Sequence, residues 1–295
     1  MASGAPFESI VLTVFGNDGN VIQQLVTDAM ELSLRRDEGK TVIYISSGGS
    51  WERFGTPRTA RSLDSVILPQ QGKDGLVSDI RDFLSSEEWF RNRGIPYRRG
   101  YLLHGPPGNG KSSLVNAIAG ELKLDICIVS LSNSEMDDHQ FNSLLNNAPP
   151  KSILLIEDVD AAFSRRSASS EVSSKLSFSG ILNALDGVAS QEGRILFMTT
   201  NHLEVLDSAL IREGRVDLKI QISNATKQQA QQLFTYFYSL DNQNPSNLEM
   251  ATQFASKITD YSLSMSQIQG FLLQYKSSPQ KALKHINKLI PVSLV

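Results

Sequence analysis

The stretch Gly105-Pro106-Pro107-Gly108-Asn109-Gly110-Lys111-Ser112 reads G-x-x-x-x-G-K-S, the spacing of a phosphate-binding loop. Such a loop sits between a buried strand and the start of a helix, so it dictates structure on both sides. Upstream, Gly100-Tyr101-Leu102-Leu103-His104 reads as a short buried strand. Downstream, Ser113-Leu114-Val115-Asn116-Ala117-Ile118-Ala119 reads as a helix. The glycines let the backbone curl until successive N–H groups face one phosphate, and the helix turns its positive end to the same point. Lys111 would reach the β- and γ-phosphates, and Ser112 would hold Mg²⁺.

The rest of the chain alternates strands with helices. Residues 126–131 and 152–156 are apolar, strand-like runs. Residues 141–147 are helical and stop before Pro149-Pro150, a helix is expected around 181–185, and 194–199 is a further strand. That alternation predicts an α/β fold, a parallel sheet with helices on both faces, and places a ligand beyond the carboxyl ends of the strands. Residues 76–91 carry a helical apolar face through Leu76, Ile80, Phe83 and Leu84. The front of the chain reads as a small α/β module: a strand at 9–15, a turn at Gly16-Asn17-Asp18-Gly19, an amphipathic helix from Val21 that stops near Gly39, a strand at 41–46 broken by Gly48-Gly49, and further strands at 51–57 and 63–68. Residues 164–177, rich in serine and charge, predict a mobile loop. After Ser223 the strands stop. Thr226 with Gln229, Ser264 with Gln267, and Ser278 before Pro279 sign three helix starts, which predict an all-helical unit acting as a lid over the nucleotide.

A phosphate loop alone does not separate a kinase from a motor. The second element is Ile153-Leu154-Leu155-Ile156 running into Glu157-Asp158: one acid at that strand end can bind the Mg²⁺ shell and the next can take a proton from water. Asn201 ends another core strand, where it can orient the attacking water. Arg212 and Arg215, three apart, lie on one face of a helical turn. If that surface meets a neighbouring subunit's nucleotide, both can stabilise the transferring phosphoryl charge in trans. Singly, each feature has a plainer reading: a solvated acidic loop, a turn asparagine, a solvated basic patch. In this order within an α/β pattern they form one composite site.

Composition narrows the class. A net charge of −3 argues against nucleic-acid binding by bulk attraction, and no basic-aromatic stripe supports a nucleic-acid motor. The single cysteine, Cys127, permits no intramolecular disulfide and gives no sign of an oxidising compartment. No apolar run approaches the ~20 residues of a membrane helix and the first residues are not signal-like, so the chain as it stands reads as soluble.

Together these elements resemble the AAA family of ring-forming ATPases, through GPPGNGKS at 105–112, ILLIED at 153–158, LNALDGV at 182–188, TTN at 199–201 and ALIREGRVD at 209–217. They are similar above all to one branch, the Bcs-type mitochondrial chaperones, through GIPYRRGYLL at 94–103, EDVDAAF at 157–163, FSG at 178–180 and the front module around Trp51-Glu52-Arg53-Phe54-Gly55. The resemblance implies a family-specific front module over 1–62, an AAA core over 63–222 and a helical lid over 223–295. It implies ATP and Mg²⁺ as cofactors, held by Gly105, Pro106, Pro107, Gly108, Asn109, Gly110, Lys111, Ser112 and Ser113, with Ser112 and Glu157 at the metal. Glu157, Asp158, Asn201, Arg212 and Arg215 are the catalytic set it implies. It further implies a homo-oligomeric ring, reported as a heptamer, at the mitochondrial inner membrane with the ATPase facing the matrix. There the ring moves the folded Rieske iron–sulfur protein and so completes respiratory complex III.

Two departures from the wider AAA pattern bear on this. Most members end the acidic strand Asp-Glu, whereas this chain and the Bcs branch have Glu157-Asp158, which gives Glu157 the metal position and the shorter Asp158 the base position. The segment 131–138 is polar and acidic where unfoldases carry an aromatic pore loop, which fits a wide pore passing folded cargo. The family's membrane helix lies N-terminal to residue 1, so a truncated form or a soluble relative is expected. The alternatives are a non-translocating, nucleotide-dependent assembly module and a P-loop kinase of a small metabolite.

Overall fold

The computed structural model describes residues 11–13, 15, 20–37, 39–68, 70–131, 135–161, 175–186, 192–239 and 246–289. Its strands are Lys40–Thr41 (β1), Ile43–Ser47 (β2), Ser50–Arg53 (β3), Arg58–Thr59 (β4), Arg98–His104 (β5), Asp125–Ser130 (β6), Ser152–Glu157 (β7), Arg194–Thr200 (β8) and Leu218–Gln221 (β9). Its helices are Asn20–Asp37 (α1), Gln70–Ser85 (α2), Glu87–Arg93 (α3), Lys111–Leu122 (α4), Asp138–Asn146 (α5), Phe178–Asp186 (α6), Lys227–Ser239 (α7), Ser246–Ser256 (α8), Met265–Gln274 (α9) and Pro279–Lys284 (α10).

Seven strands form one sheet in the order β3-β2-β6-β7-β8-β5-β9. Every pairing in it is parallel except the β2–β3 hairpin, so the expected α/β architecture is present. Every residue of β8 is buried, as a central strand covered on both faces requires. Alternate residues feed opposite cores, because side chains in a strand point to alternate faces. Tyr101 and Leu103 pack under α2 and α4 with Leu76, Ile80 and Ile118. Leu102 joins Leu154, Leu196 and the α5–α6 residues Phe141, Leu144 and Ile181. At the sheet's far edge Gly100 admits β9: a Cβ there would lie 1.9 Å from the Arg215 carbonyl. Only a glycine allows the Asp217 N–H to reach Gly100 O at 2.8 Å.

The front of the chain differs from the sequence reading. Among the described residues its own sheet is only the short antiparallel β1–β4 pair; β2 instead pairs in parallel with β6 through Ile43↔Ile126 to Ile45↔Ile128 and so extends the core sheet. Gly48 (φ 55°) and Gly49 (φ 85°) make the two-residue turn into β3, the positive-φ pair that such hairpins need. The strand expected over 51–57 ends at Arg53, and Trp51 Nε1 donates to Leu144 O (2.9 Å), docking β3 on α5. The strand expected over 63–68 is instead a 3₁₀ turn at Leu63–Ser65, capped by Ser62 and tied down by the buried Lys73 ammonium on Val66 O (3.1 Å). Local capping outweighs the β-branched composition there.

Of the strand expected over 9–15, Val11, Leu12, Thr13 and Phe15 are in no strand; the remainder, with the turn at 16–19, lies outside the described residues, as does most of the loop at 164–177. The helix predicted from Val21 is present, but its apolar positions Val21, Leu25 and Met30 are exposed. The single helix expected over 76–91 is two, broken at Ser86 and ended by Gly94 in the left-handed region.

In the C-terminal unit all three expected helix starts are capped as predicted, Thr226 with Gln229, Ser264 with Gln267 and Ser278 before Pro279. A fourth helix, α8, went unpredicted, although Pro245 and the Ser246–Glu249 spacing stand at its start in the sequence. Among the described residues no helix is long and apolar enough to cross a membrane.

Candidate active site

β5 ends at His104, and residues 105–110 turn directly into α4. Gly105 (φ 136°), Gly108 (φ 78°) and Gly110 (φ 91°) all take positive φ, which curls the loop. The Lys111 side chain folds back over it: Nζ donates to Gly105 O (2.7 Å), Pro106 O (3.0 Å) and Asn201 Oδ1 (2.7 Å). Lys111 is only 8% exposed. Burial pulls its pKa below the usual lysine value, against the opposing pull of the Asp158 and Asp160 carboxylates. A buried ammonium folded over a glycine-curled loop at a helix N-terminus can cradle phosphate oxygens.

Ser112 Oγ donates to Glu157 Oε1 at 2.6 Å, so α4 and the end of β7 bring a hydroxyl and a carboxylate together. Both are hard oxygen ligands. Among the described residues no group of three or more His, Cys, Asp or Glu side chains surrounds a metal-sized space. A two-oxygen protein contribution suits Mg²⁺, which keeps phosphate oxygens and waters as its other ligands.

Asp158 follows in the left-handed region (φ 47°), a conformation that aspartate tolerates better than most residues. Its N–H donates to Thr199 Oγ1 (3.1 Å), and its Oδ1 accepts from Asn201 Nδ2 (3.3 Å). Asn201 therefore bridges Lys111 and Asp158. Sequence reasoning gave Asp160 no role. Its Oδ1 accepts from Thr200 Oγ1 (2.9 Å) and from the Asn201 N–H (3.3 Å), which fixes where Asn201 stands. The only sequence signal for this was the repeat of an acid two positions after Asp158.

The lid sits on the loop itself. The Ser266 N–H donates to Gly108 O (2.9 Å), and a Cβ on Gly108 would lie 2.3 Å from Ser266 Oγ. Asn109, 2% exposed, donates to Asn224 Oδ1 (2.8 Å) and accepts from the Met265 N–H (3.0 Å). Its side chain thus serves the lid contact, which sequence reasoning did not foresee. A cavity of about 220 Å³ opens beside the loop, lined by Val66 and Ile67 from the front, Gly108 and Ser113 from the loop, and Leu233 and Met265 from the lid. Its apolar share, from Val66, Ile67, Leu233 and Met265 beside polar Arg61, Ser65, Asn109 and Gln269, suits a flat base.

The two arginines part company. Arg215, its side chain 5% exposed, donates through Nε to Asp186 Oδ1 (2.9 Å), with further contacts to Asp186 Oδ2 and Ala209 O. Arg212, its side chain 61% exposed, makes one bond, to Asp186 Oδ2 at 2.9 Å. Burial opposes ionisation of Asp186, but Arg215, Arg212 and Arg98 together hold its carboxyl below the usual value. The Arg215 carbonyl abuts Gly100, near the start of β5, whereas the phosphate loop leaves its end. Five residue steps along β5, from Gly100 to Gly105, separate the two, about 17 Å.

Arg215→Met should therefore cost about 1–3 kcal/mol, because it takes the buried partner of Asp186 and the donor of Ala209 O while Arg98 and Arg212 remain, read as a lowered denaturation midpoint. Arg212→Ala should cost under about 1 kcal/mol, as an exposed pair does.

Residues 101–224 match the family described as ATPase family associated with various cellular activities (AAA). Residues 227–288 match the mitochondrial chaperone BCS1-like ATPase lid domain, and residues 1–66 match the BCS1 N terminal family. The chain is 61% identical to the probable mitochondrial chaperone BCS1-A of Dictyostelium discoideum, over 100% of this chain and 71% of that protein. It is 46% identical to the mitochondrial chaperone BCS1 of Homo sapiens, over 98% and 70% of the two chains. It is 44% identical to the probable mitochondrial chaperone bcs1 of Schizosaccharomyces pombe, over 98% and 64%.

Proposed function

The chain belongs to the BCS1 family of AAA ATPases, and we propose that it is a ring-forming mitochondrial chaperone that uses ATP hydrolysis to move a folded protein across the inner membrane. By resemblance the cargo is the Rieske iron–sulfur protein, the purpose is assembly of respiratory complex III, and the ring is a heptamer with its ATPase on the matrix side.

The observation that carries this reading is the split in the site. Lys111, Ser112, Glu157, Asp158 and Asn201 converge at the carboxyl ends of β5, β7 and β8, while the exposed Arg212 belongs to a cluster a strand length away. An arginine side chain does not span that distance, which supports Arg212 acting on the phosphates of a second copy rather than its own.

In this mechanism Lys111 exchanges its loop carbonyls and Asn201 Oδ1 for phosphate oxygens. Ser112 and Glu157 would hold Mg²⁺, which would supply neutralisation of the phosphate charge. Asn201, fixed by Asp160, orients the attacking water, and Asp158 Oδ accepts its proton. Arg212 of the adjacent copy offsets the charge that builds on the transferring group. Asp158 reaches one methylene less far than the glutamate most AAA members place there, which favours slow turnover.

The test is particle mass by light scattering, with and without a non-hydrolysable ATP analogue, alongside phosphate release per subunit at increasing concentration. An assembled particle whose specific activity rises with assembly is expected. A monomer that releases phosphate at a concentration-independent rate would sink the ring and the composite site with it. An assembled ATPase that fails to transfer folded cargo into vesicles would favour a non-translocating assembly module.

A further inference from the structure

We propose that the arginine cluster at the starts of β5 and β8 binds a single monatomic anion of chloride size. Arg98 and Arg194 are register partners on neighbouring parallel strands, so both side chains leave the same face of the sheet. Each has a structural task. Arg98 Nη1 donates to Leu185 O near the end of α6 (2.7 Å), and Arg194 Nη2 to Leu145 O near the end of α5 (2.9 Å). These are cations set against the negative ends of two helices.

Those tasks do not use up the cluster's charge. Asp186 is shared among Arg98, Arg212 and Arg215, and Arg99 is already matched by Asp79. Arg194 is 8% exposed, and its Nε is buried with no hydrogen-bond partner. Burial, and after it the charge of Arg98, push Arg194 down to about 10. A buried guanidinium with an idle N–H beside a second cation is completed by an acceptor carrying negative charge.

A cavity of about 20 Å³ opens among Arg98, Arg194, Gly214 and Arg215. A single water needs about 10–15 Å³, so the space is enough for one halide-sized ion. Because Asp186 also holds Arg212, an ion drawing on Arg98 and Arg194 leaves Asp186 to the other two arginines. That consequence, unlike the binding itself, rests on the in-trans role given to Arg212.

The experiment follows the thermal midpoint of the full chain at constant ionic strength while sodium gluconate is replaced stepwise by sodium chloride. Once chloride exceeds Kd, the midpoint should climb by roughly 2–4 °C per tenfold, and Arg194→Met should abolish the climb. If Arg194→Met does not fold, Arg98→Gln, altered at a side chain 24% exposed, is expected to show the same loss. A wild-type midpoint indifferent to the exchange means that water fills the cavity, and overturns the proposal. So does an equal chloride response in the folded variant, which marks a general salt effect. A chain with an Arg194-dependent chloride response but normal turnover in Arg212→Ala keeps the anion site and refutes the finger.

Discussion

Lys111→Ala should abolish nucleotide binding while leaving the sheet intact. The ammonium is one of few fixed positive charges at the loop, and in binding phosphate it makes at least two charge-assisted hydrogen bonds. Each such bond is worth about 1.5–3 kcal/mol, so their loss weakens binding by about 3–6 kcal/mol, or roughly 10²–10⁴-fold. Stability should move far less. Removing Lys111 takes a donor from Gly105 O, Pro106 O and Asn201 Oδ1, but it also removes a buried cation whose desolvation opposes folding. The two effects have opposite signs. Equilibrium dialysis with labelled ATP and a thermal melt separate them: a thousandfold-scale loss of affinity with a melt within a few degrees of wild type is expected. An affinity within tenfold of wild type would remove Lys111 from the site.

The parts of the site that the sequence made legible are those where backbone geometry and chemistry coincide. The loop glycines were readable because their positive φ values admit few other residues, and Glu157-Asp158 because an apolar strand pointed straight at it. Asp160 and Asn109 were not readable. Asp160 acts by fixing Asn201 across a strand gap, and Asn109 acts by holding Asn224 and Met265 of a distant segment. Neither partnership leaves a periodic or spaced trace in the chain. Likewise, spacing placed Arg212 and Arg215 on one turn, but only packing against Asp186 distinguishes the exposed side chain from the buried one.

The fold was legible where burial imposes a period and illegible where local capping or edge pairing decides. The middle of β8, Ile195 to Met198, is an unbroken apolar run because it is covered on both faces. β9 reads Leu-Lys-Ile-Gln, with exposed alternate residues, and passes for loop until Gly100 brings it against β5. Residues 63–68 look like a strand by composition, yet Ser62 and Lys73 satisfy the backbone of a 3₁₀ turn instead. The front strands were read as a separate sheet because sequence order hides the parallel crossover from β2 to β6.

Arg212→Ala should leave ATP affinity and the melt nearly unchanged and lower kcat by about 10³–10⁵-fold, the effect of removing an arginine finger in related phosphoryl transfers. Its side chain is exposed and holds only a shared bond to Asp186, so its loss has little route to the fold. It stands a strand length from its own phosphate loop, so its loss has no route to the chain's own nucleotide. The trans assignment then makes a demand that a structural role does not. Lys111→Ala and Arg212→Ala chains, each inactive alone, should recover phosphate release when coassembled, because an Arg212→Ala subunit still owns a complete loop and a Lys111→Ala subunit still owns the finger. In an equimolar random ring about one quarter of the interfaces pair an intact loop with an intact finger, whatever the number of subunits. Phosphate release well above either parent confirms complementation across the interface. A mixture no more active than its parents, in particles shown to have exchanged subunits, would place Arg212 outside the neighbour's site.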